Sequence, residues 1–331
     1  MVISQTPLRI SLVGGGTDFE DFYNDNGGAV ISTAINKYVY VMVKERFDNK
    51  ISANYFDVEL VDNVYELRHD LIRETAILTG MPNGFEVHIM SDIPTSGTGL
   101  GSSSAVTVGL INAFYAYKGR TIDAERLAEL ACKVEIDILR SPIGKQDQYA
   151  VAFGGLNYIT FDLKGVGVNK IELDKDVRRK LENNLMMFFT NITRKSSAIL
   201  SEQKENINKD ISTVSILNSL KIMADELYLF LTKNEIDKVG EYLNENWELK
   251  KHLSSNVTNV TIDKMYSTAI SAGATGGKIS GAGGGGFLLL FCDTSKQPEL
   301  IKKLNGHREF YFQFEPHGSK IIFNYNTQEL K

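Results

Sequence analysis

The chain has 331 residues, more than one hydrophobic core usually serves, so two domains are expected. Hydrophobic residues make up 43% and charged residues 23%, a globular balance, and the net charge of −5 argues against nucleic acid or an anionic membrane as partner. Small phosphorylated ligands stay open, because backbone N–H groups bind phosphate without net positive charge.

Taken in order, Thr6–Gly15 places Leu8, Ile10 and Leu12 on one face and reads as a half-buried strand. Tyr38–Glu45, β-branched and aromatic, is a second. In GFEVHIMSDIP, Phe85, Val87 and Ile89 share a face, so a strand leads into PTSGTGLGSSSA, Pro94–Ala105. Ser103–Tyr117, small and apolar without proline, predicts a packed helix, and Thr121–Arg140 another, with Asp123 as an early cap. Leu156–Phe161 is a strand, and the polar DLKGVGVNKIELDKDVRRKLENN after it reads as a crossing between domains. The division expected is therefore 1–183 and 184–331.

The second half opens on Leu185–Thr190, a continuous apolar run typical of a buried strand. Three helices follow. One carries the stripe Val214, Leu217, Ala224, Leu227 and Leu231, the next Ile236, Val239, Leu243 and Trp247, and the third spans Ile262–Ala272. Gly283–Phe291 ends as a strand, and REFYFQFE and SKIIFNY predict two more. Strands separated by helices in both halves argue for an α+β fold in each. Cys132 and Cys292 lie in apolar surroundings and read as free thiols of a reducing compartment. With no apolar run of about 18 residues and no signal-peptide pattern at the N-terminus, the cytoplasm is the expected location.

Three segments are unusually rich in glycine: Val13–Asp18, Ser96–Ala105 and Ser280–Gly286. One such cluster is ordinarily a tight turn. Three of them, one opening a helix, favour a phosphate site, since each glycine costs regular structure about 0.5–1 kcal/mol. In the central loop Gly97, Gly99 and Gly101 clear the approach of an anion, and Ser102, Ser103 and Ser104 fall in the first helical turn, where N–H groups are unpaired and the helix dipole is positive. The pattern is neither of two common phosphate loops. GATGGKIS lacks the Ser or Thr that must follow Lys278, and Ser102 stands where a dinucleotide fingerprint needs its last glycine.

The central stretch resembles PxxxGLGSSAA, the ATP-phosphate loop of the GHMP kinases. PLRISLVGGGTDF (Pro7–Phe19), EIDILRSPIGKQDQYA (Glu135–Ala150) and GGKISGAGGGGFLLLF (Gly276–Phe291) are similar to further motifs of that family, in the same order. GGGTDF, where galactokinases carry a GEHTDY type, and TNITRKSSAIL are similar to the branch of heptose 7-phosphate kinases and fucokinase-related sugar-1-kinases. The resemblance implies a ribosomal S5-like, ATP-binding N-terminal domain and a ferredoxin-like C-terminal domain. It implies a kinase moving the γ-phosphate of ATP, with Mg²⁺, to the anomeric hydroxyl of a sugar or sugar phosphate, a heptose 7-phosphate first among them.

Site roles follow from the same resemblance. Asp147 is the expected proton acceptor, and Arg9 a neighbour that neutralises transition-state charge. Gly97, Gly99, Leu100, Gly101 and Ser102–Ser104 would hold the ATP phosphates; Ser103 and Glu135 would hold Mg²⁺, with Asp137 the rival carboxylate. Gly15, Gly16, Thr17 and Asp18 would bind the sugar, while Gly281, Gly283 and Gly284 shape the site. A substrate phosphate would need a cation, for which Arg194, Lys195 and Lys145 are candidates, and NVYEL near Asn63 is offered as an adenine wall. A kinase of an unphosphorylated sugar and a non-catalytic ATP or sugar sensor are the alternatives; a homodimer is compatible with either.

Overall fold

The computed structural model describes residues 1–94, 97–193 and 196–325. The alternating apolar residues of the N-terminus fold as β1 (Val2–Val13), followed by α1 (Glu20–Asn26) and the long β2 (Gly28–Glu45). Next come β3 (Ile51–Asn54), β4 (Val58–Val61), α2 (Asp70–Thr79), β5 (Phe85–Ser91), α3 (Ser102–Tyr117), α4 (Ala124–Cys132), α5 (Gln146–Phe153), β6 (Leu156–Asp162) and β7 (Gly165–Lys170). The remainder is α6 (Lys175–Asn184), β8 (Leu185–Phe189), α7 (Ser197–Lys209), α8 (Ile211–Thr232), α9 (Val239–Lys250), α10 (Val260–Ser271), β9 (Ala274–Ile279), β10 (Phe287–Cys292), α11 (Gln297–Lys303) and β11 (Lys320–Asn324).

The first sheet runs β11-β1-β2-β5-β3-β4 and is antiparallel except for the β3–β5 pair. β2 serves two neighbours along its length, β6 from Gly28 to Thr33 and β5 from Val39 to Glu45. Pro7 of β1 pairs with Tyr38 but Leu8 pairs with Ile35, so β2 bulges there. Beyond that bulge Leu8, Ile10 and Leu12 enter the core, and alternation turns Arg9 and Ser11 to the other face. α3 packs against β1 and β2, and Gly109 lets it sit close, its carbonyl accepting from Ser4 Oγ at 2.8 Å.

The second sheet is β8-β10-β9. Beside β8 lies the backbone of 308–310, through Phe189 N to Arg308 O (2.9 Å) and Phe310 N to Met187 O (2.8 Å). With that segment the spatial order is fourth-first-third-second, the ferredoxin-like arrangement. Trp247, with no exposed surface, packs beneath this sheet with Met186, Phe188 and Leu288.

Three expectations change. REFYFQFE forms isolated bridges at Glu309 and Phe314 rather than a strand. SKIIFNY contains β11, which pairs with β1, so the two sheets are not separated at a single point in the chain. The polar stretch after Phe161, read as a crossing between domains, folds as β7 and α6. The Asp123 cap is present, its carboxylate accepting from Arg126 N at 2.8 Å. Among the described residues no helix is long and apolar enough to cross a membrane.

Candidate active site

The loop entering α3 holds Gly97, Gly99 and Gly101 at φ of 76°, 74° and 74°. The first intrahelical bond runs from Ala105 N to Gly101 O (2.9 Å), so the amides of Ser102–Ser104 have no helical partner, and these three residues line an open cavity of about 340 Å³. Here glycine is needed for approach as well as for φ. A Cβ on Gly99 would lie 2.3 Å from Ser280 O, because the C-terminal glycine loop is folded down onto the loop entering α3.

Arg9 crosses beneath this junction. It donates from NH1 to Gly99 O (2.8 Å), and from Nε and NH2 to the two oxygens of Asp147 (2.7 and 2.6 Å). The Arg9 side chain is 5% exposed and that of Asp147 24%, so the fork fixes the carboxylate from below and leaves its upper side in the cavity. Glu135, 1% exposed in a π-helical turn (Lys133–Ile138), accepts from Ser103 Oγ (2.6 Å) and Gln148 Nε2 (2.7 Å). Burial pushes its carboxyl above the usual carboxylate range. Asp137, its rival, is exposed.

A second cavity opens beside the first, lined by the β1–α1 loop. Asp18, 2% exposed, accepts from Gly16 N (3.0 Å), Gln146 N (3.1 Å) and Gln146 Nε2 (2.9 Å), and burial raises its pKa. The two cavities share Arg9, Ile143, Asp147, Leu200, Gly281 and Ala282 as their common border. A phosphate on α3 and a small molecule on Gly15–Gly16 would therefore meet at Asp147.

The expected residues divide accordingly. Arg9, Gly15, Gly16, Asp18, Asp147 and Gly281 converge on the second cavity; Gly97, Gly99, Gly101, Ser102–Ser104 and Glu135 converge on the first. Thr17 does not line either: its buried hydroxyl bonds Gly14 O, Ala29 O and Ala29 N, knitting the loop to β2. Leu100 contributes its carbonyl to Arg9 N (3.0 Å) and its side chain to the core. Gly283 and Gly284 pack on Val257, away from both cavities. Lys145 turns away, its Nζ 5.0 Å from the centre of the Tyr23 ring. Arg194 and Lys195 lie outside the described residues. NVYEL forms a short turn that does not reach the cavities; the cleft continuing from Ser103 is lined instead by Tyr55, Phe56, His69, Ile93 and Pro94.

Sequence reasoning missed two buried lysines and a glutamine. Lys250, 5% exposed at the end of α9, lines the second cavity and donates to Gly281 O. Burial, then the Arg9 charge, brings its pKa down to about 8. Lys278, 1% exposed, donates to Leu12 O (3.0 Å) and is pushed well below the ordinary lysine value, again chiefly by burial. Gln203 of α7 lines the second cavity at 2% exposure. A signal existed for each of the cavity pair: Lys250 continues the stripe Leu243–Trp247, and Gln203 interrupts the stripe Ile199–Ile207.

Comparison with known proteins places this architecture. Residues 60–155 match the GHMP kinases N terminal domain and residues 227–308 the GHMP kinases C terminal domain. The chain is similar to D-glycero-alpha-D-manno-heptose 7-phosphate kinase of Campylobacter jejuni, with 33% identity over 96% of this chain and 97% of that protein. Its fold is similar to the crystal structure of a D-glycero-D-manno-heptose 1-phosphate kinase from Bacteroides thetaiotaomicron, with a TM-score of 0.80, 27% identity and coverage of 98% and 100%. A putative sugar kinase from Campylobacter jejuni superposes with a TM-score of 0.76 at 31% identity, covering 97% of each chain. The chain belongs to the GHMP kinase family. It is a phosphotransferase that takes its phosphoryl group from ATP.

Proposed function

We propose that this kinase phosphorylates the anomeric hydroxyl of a sugar phosphate, D-glycero-D-manno-heptose 7-phosphate, to give the 1,7-bisphosphate. The observation carrying this reading is the common border of the two cavities, where the Arg9–Asp147 pair stands between the phosphate loop and the Gly15–Gly16 floor. The choice of acceptor is supported by the names of the two heptose kinases to which the chain is similar.

In this reading the amides of Ser102–Ser104 and the α3 dipole receive the ATP phosphates. Tyr55, Phe56 and His69 border the nucleobase. Asp147 accepts the proton of the anomeric hydroxyl as its oxygen bonds the γ-phosphorus and the bond to the ADP oxygen breaks. Phosphoryl transfer needs mainly positioning and neutralisation of spread charge, and Arg9 supplies both. Asp18 holds sugar hydroxyls from the far side.

Glu135 and Ser103 would hold Mg²⁺. The fit rests on a buried carboxylate whose hydrogen-bond partners are all neutral, and Mg²⁺ is commonly bound by one or two carboxylates together with substrate phosphates. When bound, the ion would neutralise charge between the phosphates. The unpaired, buried Cys132 and Cys292 accord with a cytoplasmic setting.

The test is ADP release measured over a panel of heptose 7-phosphate, heptose, galactose and fucose, with and without EDTA. Heptose 7-phosphate should give the highest kcat/KM, and EDTA should abolish it. Equal turnover of galactose or fucose would overturn the acceptor, and turnover surviving EDTA would remove the metal.

A further inference from the structure

Three buried polar atoms around the second cavity have no hydrogen-bond partner: Ser11 Oγ, Gln146 Oε1 and Gln203 Nε2. A buried polar atom left unpaired lowers stability, so a cluster of them in one cavity points to a partner that arrives later. Gln203 is the plainest case. It stands at the centre of the inward stripe of α7, between the buried Ile199 and Ile207, where an apolar residue would pack without cost. Its amide nitrogen lies directly over Gly16, since a Cβ there would be 2.4 Å from Nε2. Across the same floor, Gln146 is fixed through Nε2 to Asp18 Oδ1 (2.9 Å), which leaves its Oε1 as an unused acceptor.

We infer that Gln203 is a specificity residue for the acceptor: its Nε2 donates to one hydroxyl oxygen of the sugar seated on Gly15 and Gly16, while Gln146 Oε1 accepts from another. This rests on the acceptor site proposed above. A donor and an acceptor fixed at separate points read the configuration of two hydroxyls, because an epimer that moves one leaves a buried group unpaired. Gly16 is then glycine for two reasons, the φ of 107° and the space its missing Cβ gives Gln203.

The experiment uses Gln203→Met, which keeps length and removes the donor. With whichever sugar the wild type phosphorylates, the acceptor KM should rise about tenfold or more, while the ATP KM stays within about twofold. The ligand-free Tm should hold or rise, because an unpaired amide has left a buried position. An unchanged acceptor KM overturns the inference, and so does a KM rise accompanied by a lower Tm, which marks a structural residue. Deoxy analogues of the acceptor provide the second measurement. One analogue should lose about as much against wild type as the variant does, and lose nothing further against Gln203→Met; additive losses for every analogue overturn the inference. If the wild type turns over no sugar phosphate, the heptose reading fails, and the same measurements on its actual acceptor still decide Gln203.

Discussion

The Arg9–Asp147 fork makes Asp147→Asn a sharp perturbation. Asparagine keeps the size and one acceptor oxygen, but turns an NH2 toward a guanidinium that also only donates. One of the two charge-assisted bonds at 2.6–2.7 Å is lost, and Arg9, with 5% of its side chain exposed, loses its counter-charge. Removing one partner from a fully buried pair costs about 3–5 kcal/mol. The Asp147 side chain is 24% exposed and Gly99 O still binds NH1 at 2.8 Å, so solvent and that carbonyl offset part of the loss. We expect about 2 kcal/mol, a Tm lower by roughly 4–8 °C. The chemical effect is separate: loss of a general base removes about 10²–10⁴ in rate, or about 3–5 kcal/mol of barrier. The assay is ADP release at saturating acceptor, run well below the variant's Tm, with the ATP KM measured alongside. A kcat within tenfold of wild type would refute the base assignment, whatever the stability change.

Two further outcomes test the loops and the buried cation. Gly99→Ala brings a Cβ to 2.3 Å from Ser280 O at a left-handed φ that costs about 1–2 kcal/mol by itself, so the two glycine loops must part. The ATP KM should rise at least about tenfold with a lower Tm, and an unchanged ATP KM would show that the loop contact does not shape the phosphate site. For Lys250 the folded pKa of about 8 lies below the ordinary 10.5, so the unfolded chain binds the extra proton between those values. Its burial cost is fully present below pH 8 and is relieved as pH rises toward 10.5, an increment of about 3 kcal/mol. Wild type should therefore gain stability relative to Lys250→Met across that window in denaturant melts, and parallel curves would refute the shifted lysine.

The sequence made the loops legible because glycine and serine spacing is local information. A positive φ at Gly97, Gly99 and Gly101 is a property of single residues, and a helix start needs only the few residues around it. What stayed hidden depends on distant parts of the chain meeting. Thr17 reads as a ligand residue in its motif, yet β2 claims its hydroxyl through Ala29. SKIIFNY has the pattern of a strand whichever sheet receives it, and pairing with β1 more than 300 residues away is decided by tertiary packing. Lys250 and Gln203 share a different obscurity. Each occupies a position where a helix's apolar stripe should continue, and helical periodicity alone treats such a residue as an interruption. Such a residue carries a desolvation cost on a buried face, offset for Lys250 by its bond to Gly281 O, and both side chains line the cavity beside them. The residues that break the hydrophobic pattern of α7 and α9 are thus the ones by which the C-terminal half lines the second cavity, and Arg9 and Asp147 from the N-terminal half meet them there.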